Sequence, residues 1–151
     1  ARSFAYTTWP THDASEYDVW KQNQNKEGIT GAVVLGSDIS DKEIAGARAN
    51  LQAAVEDGGW TLHEGNFSSH LSRVPKGSVI VTNPPYGKRI ESDDAWVKDL
   101  ATVLKKRRDI RGTFVLTPDP NFGSRSGLPF RIRATFSNGG LKVRLWGLEG
   151  Q

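Results

Sequence analysis

Cysteine and methionine are both absent from the 151 residues. Without cysteine there is no disulfide framework and no thiolate metal site. Only three histidines occur, His12, His63 and His70, and their separations match no metal-ligand spacing, so we read them as surface or loop residues and expect no metal. No apolar run approaches the roughly 18 residues of a membrane span. The first twenty residues carry Asp13, Glu16 and Asp18 and no apolar centre, unlike a signal peptide or an acid-poor transit peptide, so a cytoplasmic or organelle-matrix setting is expected. A Gly-x-Gly-x-x-Gly loop is also missing, since Gly28 and Gly31 follow no strand. The lack of methionine is compatible with a piece of a longer protein.

What remains has the composition of one ordinary globular domain, with 36% apolar, 25% charged and 9% aromatic residues. The net charge is only +3, but it is unevenly spread. From Val97 onward 11 Lys or Arg face 4 acids, a balance of +7, which favours a polyanionic partner. A plainer account of Lys105 to Arg108 is that cations close the last turn of a helix, where they complement its dipole.

Apolar runs alternate with helical spacing, as in a parallel sheet of βα units. Gly31 to Ser37 is a β-branched run between turn signals and predicts a buried parallel strand. Ser40 followed by Glu43 predicts a capping box opening a helix with Ile44, Ala47, Leu51 and Ala54 or Val55 on one stripe, stopped by Gly58-Gly59. Trp60 to His63 reads as a short strand, and Gly77 to Thr82 as a buried one ended by Pro84-Pro85. Asp93-Asp94 open a helix with Trp96, Val97, Leu100 and Val103 or Leu104 inward, followed by a buried strand at Thr113 to Leu116. Phe130 to Phe136 and Leu141 to Trp146 alternate about Ser137-Asn138-Gly139-Gly140 and predict a hairpin. With Asn138 and Gly139 in the turn, Arg133 would oppose Arg144, a repulsion that a carboxylate or a phosphate would relieve.

Two stretches carry chemistry. Thr82-Asn83-Pro84-Pro85-Tyr86-Gly87 sits at the C-terminal end of a strand, where open α/β sheets bind ligands. An exocyclic amine on a base is a poor nucleophile, because its lone pair is delocalised into the ring. A catalyst therefore has to accept hydrogen bonds from its N–H groups and aim the nitrogen. Asn83 offers a side-chain carbonyl, the rigid Pro84-Pro85 corner a backbone one, and Tyr86 a face on which to stack the base. The second stretch, Gly36-Ser37-Asp38-Ile39-Ser40, puts a carboxylate at a strand end, where Asp38 suits two ribose hydroxyls and Ile39 an adenine face. Asp38 is equally suited to capping the next helix. Asn66 with Phe67 is a third, weaker candidate for the adenine edge, and a loop Asn beside a core Phe explains it as well.

Together these stretches resemble the catalytic domain of the THUMP-associated large-subunit rRNA guanine-N2 methyltransferases. The resemblance rests on Arg2-Ser3-Phe4-Ala5 with Trp9-Pro10, Gly36 to Ile39 with Ala47 to Asn50, Thr82 through Arg89, Val115-Leu116-Thr117, and the Asn138-Gly139 hairpin leading into Val143-Arg144-Leu145. The Asn-Pro-Pro-Tyr motif is shared with adenine-N6 methyltransferases, whereas the Gly-Lys-Arg extension and the Arg-Ser-Phe-Ala opening are more particular to this family. The resemblance implies an α/β, Rossmann-like class I methyltransferase sheet ending in an antiparallel hairpin. It also implies S-adenosylmethionine as cofactor and rRNA as partner, with a target-base site at Asn83, Pro84, Pro85 and Tyr86. Asp38, Ile39, Asn66, Phe67 and Asn83 become the cofactor-binding residues, with an uncharged Asn66 where the family usually has an acid. We expect Lys88, Arg89, Arg131, Arg133, Lys142 and Arg144 to contact nucleic acid.

The family's first βα unit and its Gly-rich loop have no counterpart here. The chain is therefore expected to be a partial catalytic domain, with a lead-in over 1–30, βα units over 31–128 and the hairpin over 129–148. Alone it is expected to be inactive. In the class I sheet the missing strand lies between the Gly31–Ser37 and Gly77–Thr82 strands. Those two should then either pair directly or receive a strand from the N-terminal remainder of the enzyme or from another chain. Two other readings stay open: an adenine-N6 methyltransferase on DNA or RNA, and a catalytically silent binding or assembly module.

Overall fold

The computed structural model describes residues 5–23, 33–54, 59–84 and 95–150. The chain divides into two compact units, Ala1–Val34 and Leu35–Gln151. In the first, a short turn of 3-10 helix at Ala5–Thr8 precedes helix α1, Ala14–Asn23. Asp13 starts that helix, its Oδ1 accepting the Ser15 and Glu16 amides at 2.8 and 3.1 Å. The Ser15 hydroxyl, which also donates to it, and these amides hold the Asp13 carboxyl below its ordinary value.

Apart from Val34, the first residue of the first strand, the second unit holds the sheets. Strand β1, Val34–Asp38, leads to helix α2, Asp41–Ala54, and strand β2, Trp60–Glu64. Helix α3, Phe67–Leu71, strand β3, Val79–Thr82, helix α4, Ala95–Lys106, and strand β4, Gly112–Thr117, follow. Helix α5, Phe122–Ser126, and strands β5, Arg131–Asn138, and β6, Leu141–Glu149, complete it. β1 pairs with β2 in a two-stranded sheet, and a four-stranded mixed sheet runs β3-β4-β6-β5. β3 and β4 are parallel, with Val79 opposite Gly112 and Thr82 opposite Val115, while β6 is antiparallel to both β4 and β5. Among the described residues no helix is long and apolar enough to cross a membrane.

The core lies on one face of the larger sheet. The inward stripe of α4, Val97, Leu100 and Leu104, packs with Val115, Phe130 and Trp146 around Phe122. Phe122 stacks on Trp96 with ring centroids 5.6 Å apart and meets Phe130 edge-on at 5.0 Å. β4 is buried as its sequence predicts, with Thr113, Val115 and Thr117 all covered. In α2, Ile44, Ala47 and Leu51 are half-buried along one stripe. Arg48 of that helix lies over the Trp60 ring, 5.8 Å from its centroid.

Two strands expected to be buried are not. Val34 is 56% exposed in β1, and Val79 and Val81 are 51% and 76% exposed in β3. Among the described residues β1 pairs only with β2 and β3 only with β4, and in β3 it is Ile80 that packs against the core, which turns Val79 and Val81 to the opposite, uncovered face. β1 and β3 do not pair with each other, so direct closure of the sheet, one of the two outcomes expected, does not occur. The β-branched runs that suit a central strand lie instead on edges.

The hairpin also differs by one residue. Asn138 pairs with Leu141, so Gly139 and Gly140, with φ of +58° and +80°, make the turn. Both φ values lie where glycine is at ease, which draws the turn away from Asn138. Arg144 is therefore opposite Thr135, and a bulge at the Ile132/Ala134 register shift leaves Arg133 out of the ladder. The expected Arg133–Arg144 repulsion is absent: Arg133 bonds Glu149 at 2.6 Å and Arg144 donates to the Pro118 carbonyl at 3.1 Å.

Arg107 joins the turn after α3 to the loop before β4. Its Nε and Nη2 bond the Asp109 carboxylate at 2.8 and 2.9 Å, while Nη1 and Nη2 donate to the carbonyls of Leu71, Ser72 and Val74. That uses every guanidinium N–H. The side-chain bond from Arg107 also holds the Asp109 carboxyl below its ordinary value. Arg107→Ala should lower the unfolding free energy by about 2 kcal/mol, read from denaturant midpoints, because three carbonyls lose charged donors together. The part owed to Asp109 is present above the unfolded carboxylate pKa of about 4 and fades as pH falls through its lower folded value. Unchanged midpoints at neutral pH would contradict this role.

Candidate functional site

β1 ends at Asp38, which is exposed, and its Oδ1 accepts the Ser40 amide at 2.8 Å. The Ser40 hydroxyl accepts the Glu43 amide at 3.3 Å, giving half of the expected capping box. The other half, acceptance of the Ser40 N–H, falls to Asp38 rather than to the Glu43 side chain. The carboxylate is thus aimed by the start of α2, and among the described residues no donor engages its second oxygen. The Asp38 carbonyl accepts the Gly65 amide at 2.8 Å, which laces the end of β1 to the end of β2. The Asp38-Ile39 and Gly65-Asn66 segments therefore lie side by side, with Ile39 77% exposed.

Asn66 is the N-cap of α3. Its Oδ1 accepts both the amide and the hydroxyl of Ser68 at 3.0 Å, so the oxygen considered for an adenine contact is engaged locally and the amide NH2 is what it can still offer. Phe67 is half-buried and packs against the core.

The structure also shows something the sequence did not. His63 of β2 and His70 of α3 are half-buried and stacked, with centroids 4.8 Å apart and planes 15° off parallel, rather than surface residues. His70 Nε2 faces the Glu64 carbonyl at 3.2 Å, so that nitrogen carries the proton of this contact, and Nδ1, itself buried, has no partner among the described residues. The pair underpins the Gly65 turn. Only a strand and a helix brought together create it, so no spacing in the sequence announces it. Gly65 has φ of +135°, and a Cβ there would meet His70 Nε2 at 3.0 Å. Gly65→Ala is expected to lower unfolding free energy by about 1–2 kcal/mol. A thermal melt identical to that of the parent chain would contradict this picture of the turn.

Asn83 and Pro84 follow β3 at its C-terminal end, just past the pair formed by Thr82 and Val115 of β4. Asn83 is exposed and Pro84 half-buried. The structure places Asn83 in the continuation of the four-stranded sheet and Asp38 in that of the two-stranded one, and no described hydrogen bond joins them. Pro85, Tyr86, Lys88 and Arg89 lie outside the described residues. Among the hairpin cations, Arg131 and Lys142 are exposed, whereas Arg133 and Arg144 have the protein partners given above. Among the described residues no group of three or more His, Cys, Asp or Glu could hold a metal ion.

A family model described as the RMKL-like methyltransferase domain matches residues 2–117. The chain is 30% identical over 160 residues to ribosomal RNA large subunit methyltransferase K/L of Chromohalobacter salexigens, covering 94% of this chain and 21% of that protein. It is 29% identical to a Synechocystis protein provisionally named an RNA methyltransferase, covering 94% of this chain and 38% of the relative. A solved structure provisionally named a methyltransferase, in complex with SAH, superposes with a TM-score of 0.73 at 23% identity, over 99% of this chain and 41% of its own. The chain thus spans less than half the length of each of these proteins. The first two are similar to it in sequence, and the third in fold.

Proposed function

The chain belongs to the RMKL-like methyltransferase domain family, and from that premise we propose that it is the part of an S-adenosylmethionine-dependent enzyme that presents an exocyclic amine of an RNA base, guanine-N2 of large-subunit rRNA, for methylation. The observation that carries the reading is the exposure of Asn83 directly after β3, with a proline beside it. Two acceptors, the Asn83 side-chain carbonyl and the Pro84 backbone carbonyl, can take the two N–H groups of an amine and point its nitrogen outward.

The residues present suit the nucleoside half of the cofactor. Asp38 offers an exposed carboxylate for two hydroxyls, Ile39 an exposed apolar surface, and Asn66 an amide NH2 at the neighbouring strand end. S-adenosylmethionine supplies, when bound, an electrophilic methyl group on sulfur. The work of this chain is to hold the ribose with Asp38 and to orient the amine with Asn83 and Pro84, so that less of the barrier comes from alignment. Stacking falls to Tyr86, and phosphate contact to Lys88, Arg89, Arg131, Arg133, Lys142 and Arg144. Where Arg133 and Arg144 act, they do so by extending or exchanging the bonds they already make.

The edges of β1 and β3 that no described residue pairs, with their exposed valines, support a companion reading. A strand from the rest of the enzyme, or from another chain, completes the sheet between them and brings its own loop to the methionine end of the cofactor. Methyl transfer to guanine-rich and adenine-rich RNA by a form containing the whole catalytic domain tests the proposal. Transfer to guanine-rich RNA is expected. Transfer only to adenine-rich RNA would move the target to adenine-N6, and none to either would leave a silent binding module.

A further inference from the structure

The end of the larger sheet remote from Asn83 is strongly basic. Arg73 and Lys76 lie in the turn that enters β3, Lys105 and Lys106 close α4, and Arg108 and Arg111 lie in the loop that enters β4. All six are exposed. Because β3 and β4 are parallel, both entering loops lie at the same end of the sheet. Arg107 binds them together through the carbonyls of Leu71, Ser72 and Val74. Two backbone bonds do the same, Gly77 N–H to Asp109 at 2.8 Å and Arg111 N–H to Ser78 at 2.9 Å.

Little negative charge offsets this. Asp109 is the one acid in residues 72–78 and 105–111, and it is already bound by Arg107. Glu149, at the adjoining end of β6, is held by Arg133 at 2.6 Å. Complementing the dipole of α4 accounts for Lys105 and Lys106, which stand in its last turn. It does not account for the other four, which lie outside every helix. A hollow of about 260 Å³ opens here, with Lys105 and Arg108 at its rim and Leu104, Ile110, Leu128 and Leu148 among its walls.

We infer that this basic end is a second RNA-docking surface, which takes the sugar-phosphate backbone and reads no sequence. The two contributing segments contain no aromatic residue on which a base could stack, so phosphate attraction is the chemistry on offer. β3 separates this surface from Asn83 by about 13 Å, four residues at the rise of a strand. A folded RNA held here is gripped away from the reacting base, so the grip does not compete with presentation of that base. The inference rests on the RNA reading proposed above and assigns that reading a further binding surface.

The test is fluorescence anisotropy of a labelled 20-nucleotide RNA with the 151-residue chain, with Lys106→Glu/Arg108→Glu/Arg111→Glu, and with Arg131→Glu/Lys142→Glu as a comparison on the hairpin. If about four phosphates are contacted, affinity of the parent chain falls roughly fiftyfold between 50 and 200 mM salt. The triple variant is expected to bind more than tenfold more weakly at 50 mM salt with a clearly shallower salt dependence, and the hairpin pair to change less. The same three positions changed to Gln, with an unaltered melting temperature, should show a smaller loss in the same direction. Equal affinity of parent and triple variant, or no RNA binding by the parent chain at 50 mM salt, overturns the inference. Methyl transfer by the whole catalytic domain is read separately: its absence with the salt-dependent loss intact would sink the methyltransferase reading and leave this surface standing.

Discussion

Asn83→Ala, made in a form of the protein that contains the whole catalytic domain, is expected to lower kcat about a hundredfold or more while S-adenosylmethionine affinity stays near that of the parent. On the proposed reading the target amine has its lone pair spread into the base, so an acceptor aimed at its N–H hydrogens acts mainly as the nitrogen approaches the methyl group. Losing such a group costs turnover rather than ground-state binding. Asn83 is exposed at a strand end, so its truncation leaves no cavity and the fold should be kept. Asn83→Asp is informative beside it, since it retains an acceptor of similar reach and should keep more turnover than alanine. Near-full turnover in Asn83→Ala would refute the role given to this residue.

The 151-residue chain alone should bind S-adenosylmethionine only in the millimolar range or more weakly, about −4 kcal/mol, and a form with the rest of the catalytic domain at least a hundredfold more tightly. On the proposed reading Asp38 holds the ribose, with Ile39 next to it in sequence and Asn66 brought alongside by the Gly65–Asp38 backbone bond. Yet no Gly-x-Gly-x-x-Gly loop occurs in the sequence, and among the described residues β1 and β3 each have one unpaired edge beside which a further strand would carry such a loop. The methionine carboxylate and amine therefore find few partners, and a ligand held at one end forfeits much of its affinity. Calorimetry on the two forms decides the matter, and micromolar binding by the short chain would place the cofactor's main support within these residues.

Elements whose cause is local could be read from the sequence. The Ser40 start of α2, the inward stripe Val97-Leu100-Leu104 of α4, the buried β4 and the antiparallel hairpin all follow from spacing within a few residues. The burial of β1 and β3 could not, because apolar composition marks a strand as suited to a centre, while its actual cover depends on neighbours the run itself does not specify. The five-residue helices α3 and α5 are too short to show a period. The Arg107 clamp spans 33 to 36 residues of sequence to its carbonyl partners, which is beyond any local pattern. At the candidate site Asp38 and Asn83 stand at strand ends, as read from the sequence. Asn66 looked open to a cofactor, but its oxygen caps α3, a competition that only the Ser68 geometry reveals.

The central claim, that Asn83 and Pro84 present a guanine amine of large-subunit rRNA for methylation, is tested most directly by identifying the product. Large-subunit rRNA is incubated with S-adenosylmethionine and the whole catalytic domain, digested to nucleosides and resolved by mass spectrometry. The account predicts new N2-methylguanosine, abolished or reduced about a hundredfold by Asn83→Ala. N6-methyladenosine as the product, or N2-methylguanosine formed undiminished by the alanine variant, would contradict it.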